Sequence, residues 1–153
     1  MMAQAYRIVR REFASSAFSG EGARRYGGRW NPPGYSMVYT ADSIALATLE
    51  LLVHLPALPL HKYCYLKVEF DAKLIEYVSK QQLPSQWFRY AQPRSTRALG
   101  TAWLKEQRSV VLAVPSAVVH DQMNYLLNPE HPRFGEITIS KPKPYRLDRR
   151  LFE

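Results

Sequence analysis

The chain has one cysteine, Cys64, in 153 residues. An intramolecular disulfide is therefore impossible, and a cysteine-rich metal site is excluded. No apolar run approaches the roughly 20 residues needed to span a bilayer, and the opening stretch MMAQAYRIVRREFASSAFSG holds no apolar signal-peptide core. We expect a soluble, cytoplasmic protein. Neither G-x-G-x-x-G nor G-x-x-x-x-G-K-[ST] occurs, so a nucleotide bound here would be held some other way. His54, His61, His120 and His131 show no paired ligand spacing; they read as structural, and no metal is expected. Repeats, low-complexity tracts and long linkers are also missing. That leaves a single domain over residues 1–153, with its motifs between about 6 and 152.

Acidic residues are in short supply. Lys and Arg number 21 against 13 Asp and Glu, a formal charge of +8. Such a surface fits an anionic partner: nucleic acid, a phosphorylated small molecule or an acidic protein face. Charge alone does not choose among them. The arginines gather at Arg7, Arg10 and Arg11, at Arg24, Arg25 and Arg29, and at Arg146, Arg149 and Arg150; most are read as solvated surface.

The sequence does contain strands and helices in unequal number. AYRIV, SMVYTA, YCYLKVEF, LIEYV, SVVLAV, EITIS and YRLDRRLF read as strands, being rich in β-branched and aromatic residues between turn formers such as PALPLHK and KPKP. In YCYLKVEF, Cys64, Leu66, Val68 and Phe70 fall on one face. SIALATLELLVHL, with Asp42 as its N-cap, and STRALGTAWLKEQ read as helices. With no βαβ rhythm, the pattern predicts an α+β domain with mixed or antiparallel sheets and a few helices, and argues against a doubly wound dinucleotide fold.

Glu50 is the most informative position. Leu46, Ala47 and Val53 make its side of the helix apolar, so a buried carboxylate there needs compensation. It either lies at an exposed edge, pairs with His54, or points into a cleft. Tyr39 ends a strand just before that helix. Ser116 follows Pro115 at a strand-to-loop transition, with no Ser-His-Asp arrangement, and suits hydrogen bonding in a pocket better than nucleophilic attack. GGRWNPPG surrounds Arg29 with turn formers that can hold it in place. Trp30, Asn31 and Trp103 read as pocket wall or core.

Taken in order, YRI, GGRWNPPG, MVYTADSIALATLELLVH, ALGTAWL, VPSAVV and NYLLNPEHPRF resemble the RES-domain toxins of bacterial toxin–antitoxin pairs, over nearly the whole chain. The resemblance implies a fold similar to ADP-ribosyltransferase toxins, NAD+ as substrate, and release of nicotinamide. It also implies inhibition by a cognate Xre-type antitoxin, with nucleic acid approached only through that complex. Carried over by motif, Arg29, Tyr39 and Glu50 are the catalytic residues, and Arg29, Tyr39 and Ser116 contact NAD+; Arg7 is a further candidate phosphate ligand. Nicotinamide leaves as a neutral molecule from a cationic ring, so the demand is to stabilise an oxocarbenium-like ribose, which suits the Glu50 carboxylate. Arg29 offers a permanently charged fork for pyrophosphate or ribose, and Tyr39 a ring on which nicotinamide can stack. The acceptor is water, making a glycohydrolase, or phosphate, making a phosphorylase. The alternatives are ADP-ribosyl transfer to a protein and, from charge alone, an RNA-binding or RNA-cleaving toxin.

Overall fold

A computed structural model describes residues 1–54, 62–89 and 94–151; most of PALPLHK, with His61, lies outside them. Eight strands are described: β1 (Met2–Arg10), β2 (Val38–Ala41), β3 (Tyr63–Asp71), β4 (Ile75–Tyr77), β5 (Val111–Pro115), β6 (Met123–Leu127), β7 (Thr138–Ile139) and β8 (Lys143–Tyr145). The helices are α1 (Glu21–Tyr26), α2 (Ile44–His54) and α3 (Arg94–Glu106). Among the described residues, no helix is long and apolar enough to cross a membrane.

The strands form one sheet in the order β4-β5-β6-β2-β1-β3-β7, with β8 also pairing β3. The fold is α+β, as expected, and the sheet is mixed. Its one parallel pair, β4 with β5, flanks α3 in the chain. β3 keeps the alternation read from its sequence, with Cys64, Leu66, Val68 and Phe70 buried. It runs antiparallel to the whole of β1, from Met2 opposite Asp71 to Arg10 opposite Tyr63. β1 meets β2, in contrast, at one residue pair, Tyr6 opposite Ala41.

Period-two alternation sorts the core into two layers. Ala5, Val38, Val68, Phe70, Val111 and Leu127 lie together on one face. Trp30, Met37, Trp103, Leu112, Val114 and Leu126 pack on the other, with Tyr39 against them. α3 reaches this second layer through Gly100, where an added Cβ would sit 1.7 Å from the Trp30 carbonyl oxygen. Only glycine permits that approach. Trp103, fully buried, donates its indole N–H to Ser109 at 2.8 Å, so the core reading of Trp30 and Trp103 agrees with their burial.

Several local expectations change. α2 is capped by Ser43, whose hydroxyl accepts the Leu46 N–H; Asp42 instead accepts the Met123 N–H across the sheet. YRLDRRLF contributes only Tyr145 to a strand, because the Asp148 carboxylate accepts the Arg150 N–H and turns the chain. α1 and β6 were not foreseen. α1 is six residues long and is held by Glu21, which accepts from Arg24 and Arg25.

Candidate active site

Glu50 comes to its partners from the middle of α2. One carboxylate oxygen, Oε2, accepts the Ser116 hydroxyl at 2.8 Å, and Oε1 accepts the Asn124 side-chain amide at 2.9 Å. Of the three readings open to Glu50, pairing with His54 is not what the geometry shows. Burial pushes the Glu50 carboxyl above its ordinary range, while the bonds from Asn124 and Ser116 pull it back and nearby Asp42 adds to the rise.

Ser116 is fully buried. Its oxygen also accepts the N–H groups of Val118 and Val119, at 3.1 and 3.2 Å, in a tight turn after β5. In this structure the hydroxyl therefore acts on Glu50, and direct contact with a ligand would require the turn to move.

Tyr39 lies on the same sheet face. In the antiparallel β2–β6 ladder, Ala41 opposes Asn124 and Tyr39 opposes Leu126. Side chains of opposed residues share a face, so Tyr39 stands two residues, about 7 Å, along β2 from the anchor of Glu50. Its hydroxyl donates to Asn31 Oδ1 at 2.6 Å and accepts the Trp30 N–H at 3.1 Å. Asn31, fully buried, spends its amide on the carbonyls of Ala23, Pro32 and Tyr35. The fit is tight enough that a Cβ on Gly28 would come 2.5 Å from the tyrosine oxygen. Burial raises the Tyr39 pKa, so the phenol stays neutral.

Arg29 follows directly from this knot. Its Nη1 donates to the carbonyls of Trp87 and Arg89, each at 2.9 Å. Its Nε and Nη2 donors have no protein partner among the described residues. Burial lowers its pKa, but an arginine so placed keeps its charge. The segment it holds carries an aromatic wall: Trp87 lies 6.1 Å from Trp30, 5.9 Å from Phe88 and 5.3 Å from His120, ring to ring. His120 belongs to the turn that begins at Ser116, so the wall joins the Arg29 and Glu50 ends of the site.

Arg7 sits apart from these groups. It occupies the face of β1 opposite Tyr6, and donates to the carbonyls of Ala17 at 2.8 Å and Tyr39 at 2.9 Å. Burial brings its pKa down to about 10. Beside the single β1–β2 pairing, it ties the two strands where they diverge.

Asn124 is the residue that sequence reasoning missed. It stood inside the NYLLNPEHPRF motif, yet its amide carries no charge and gave no chemical signal of its own. The sheet register alone puts it beneath Glu50.

The architecture is that of a known solved fold. The chain matches the complex of the MbcT toxin with the MbcA antitoxin from Mycobacterium tuberculosis with a TM-score of 0.72 at 20% identity, over 95% of this chain and 85% of that one. The RES domain family matches residues 4–148, and the chain belongs to it. A relative named Toxin Res, from Yersinia enterocolitica, is 38% identical over 95% of this chain and 97% of its own length. Another, from a Sphingobium species and named Prs ADP-ribosylating toxin, is 36% identical over 92% of this chain and 90% of its own. A shorter match, 56% identical over 36 residues, covers 23% of this chain and 19% of the NAD(+) phosphorylase MbcT of M. tuberculosis.

Proposed function

We propose that the chain is a toxin that consumes NAD+ by breaking the nicotinamide–ribose bond, and that an antitoxin of the Xre type holds it in check. The observation that carries this is the Glu50 carboxylate, fixed from two sides by Ser116 and Asn124 on the sheet face that also bears Tyr39. A preorganised carboxylate of this kind meets the positive charge that develops on ribose as the bond breaks. The bonding electron pair leaves with nicotinamide, which departs neutral, and an acceptor oxygen, of phosphate or of a water that gives up its proton to solvent, adds to the sugar carbon. Arg29, with two donor nitrogens uncommitted among the described residues, holds the pyrophosphate or a ribose oxygen. Tyr39 works through its ring, because both roles of its hydroxyl are already taken. Ser116 and Arg7 take supporting parts, orienting Glu50 and fastening β2, in place of the direct ligand contacts expected of them.

The short MbcT match favours phosphate as acceptor. The longer Sphingobium match supports a second reading, transfer of ADP-ribose to a protein. The antitoxin partner is supported by the toxin–antitoxin complex that shares the fold, and the charge of +8 suits an acidic covering surface. Incubating purified protein with NAD+, with and without phosphate, and weighing the sugar product tests the reading. Nicotinamide with ADP-ribose-1-phosphate or ADP-ribose is the expected result. An unchanged rate in Glu50→Ala would overturn the mechanism, and no nicotinamide from the parent would overturn the function.

A further inference from the structure

We propose that Asn124 is a positioning residue that locks the Glu50 carboxylate to the strand carrying Tyr39, so that both groups keep a fixed separation across the site. This rests on the reading of Glu50 as the reacting carboxylate. The Asn124 amide nitrogen has two hydrogens, and both are used: one bonds the Thr40 carbonyl at 3.1 Å, the other Glu50 Oε1 at 2.9 Å. Its orientation follows from that pairing. Turned over, the amide would set its own oxygen against a carbonyl and a carboxylate, so the nitrogen is the group that faces them.

Thr40 is the residue after Tyr39, and its hydroxyl donates to the Tyr125 carbonyl at 2.7 Å. The rung beside Asn124 is thus closed, and this side chain references α2 to both β2 and β6. Ser116 orients the other carboxylate oxygen from the end of β5. Without Asn124, Glu50 retains one donor, which leaves the carboxylate free to turn about its terminal torsion.

Among the described residues, the groups that face Glu50 are few. Ser116 comes from the turn after β5, Asn124 from β6 and Asp42 from the β2–α2 turn, while on α2 itself exposed His54 is four residues on. Asp42 is occupied by the Met123 N–H. Asn124 and Ser116 are the donors that favour the ionised carboxylate, and removing Asn124 must shift its titration upward.

The experiment uses the full chain with Asn124→Leu and the near-isosteric Asn124→Asp, both checked for folding by thermal melting. The Glu50 carboxyl is titrated by carbon NMR, and nicotinamide release from NAD+ is followed against pH. In Asn124→Leu we expect the carboxyl midpoint to rise by about one pH unit, the acid limb of the rate profile to move with it, and kcat to fall about tenfold with KM little changed. Asn124→Asp, which replaces a donor by a second negative charge, moves the midpoint at least as far. If Asn124→Leu fails to fold, Asn124→Asp carries the test alone. A midpoint that stays in place, or a loss of rate equal at every pH, overturns the proposal. A parent protein that releases no nicotinamide defeats the proposed function instead, while the NMR midpoint still decides the part played by Asn124.

Discussion

Replacing Tyr39 by phenylalanine removes a single oxygen and strands two partners. The hydroxyl joins Asn31 Oδ1 at 2.6 Å to the Trp30 N–H at 3.1 Å, and both residues are buried. A buried polar group left without its partner costs about 1–3 kcal/mol, so the pair together cost about 2–6 kcal/mol. For a domain of this size each kcal/mol lowers the melting temperature by about 2–4 °C, which places Tyr39→Phe about 4–24 °C below the parent. The ring remains. If the ring is what serves the reaction, kcat for nicotinamide release, measured well below both melting points, falls by less than about tenfold in Tyr39→Phe and by more than about a hundredfold in Tyr39→Ala. Circular dichroism melting and a nicotinamide assay read the two effects separately. A melting temperature within about 1 °C of the parent would refute the hydrogen-bond reasoning. Equal loss of rate in the two variants would give the hydroxyl a chemical role and refute the assignment to the ring.

Gly100→Ala drives a methyl group to within 1.7 Å of the Trp30 carbonyl, where backbone on both sides prevents relief; a loss of at least about 3 kcal/mol in chemical denaturation is expected, and a change below about 1 kcal/mol contradicts the packing described. Glu50 gives a pH signature of stability. Its raised pKa means that the folded state holds the proton more firmly than the unfolded chain, so its contribution is full below the ordinary value of 4.5 and is lost as pH rises through the raised one. Melting temperatures of parent and Glu50→Gln, compared from about pH 4 to about pH 8, should therefore move apart in favour of the glutamine variant as pH rises; a constant difference refutes the shift.

Sequence pattern served best where the physics is local. The alternation in β3 and the spacing of α2 and α3 depend on neighbours within a few residues, and these elements lie where the pattern set them. YRLDRRLF shows how the same signal misleads: Tyr145 and Leu147 alternate and Leu147 is buried, but Asp148 forms a local turn that outcompetes strand pairing. β6 escaped notice because its first half, Met123 and Asn124, is only part-buried and its neighbours are polar. At the site, the residue types were legible in order, whereas their couplings were not. The fold closes the Ser116 hydroxyl onto Glu50 and brings the carbonyls of Trp87 and Arg89 to Arg29, and neither coupling was read from the sequence. Such bonds join residues 58 to 66 positions apart, and no local periodicity encodes them.

The clamp on Glu50 also sets a timetable for the growing chain. Its donors lie 66 and 74 residues downstream of the carboxylate, and β6, which carries the second, must emerge from the ribosome and insert between β2 and β5 before the grip exists. Every shorter nascent chain holds the glutamate without its harness. Under the proposed function, the NAD+-consuming site would thus stay unassembled for most of the chain's own synthesis, and would form only once enough of the chain is complete to be recognised by the proposed antitoxin.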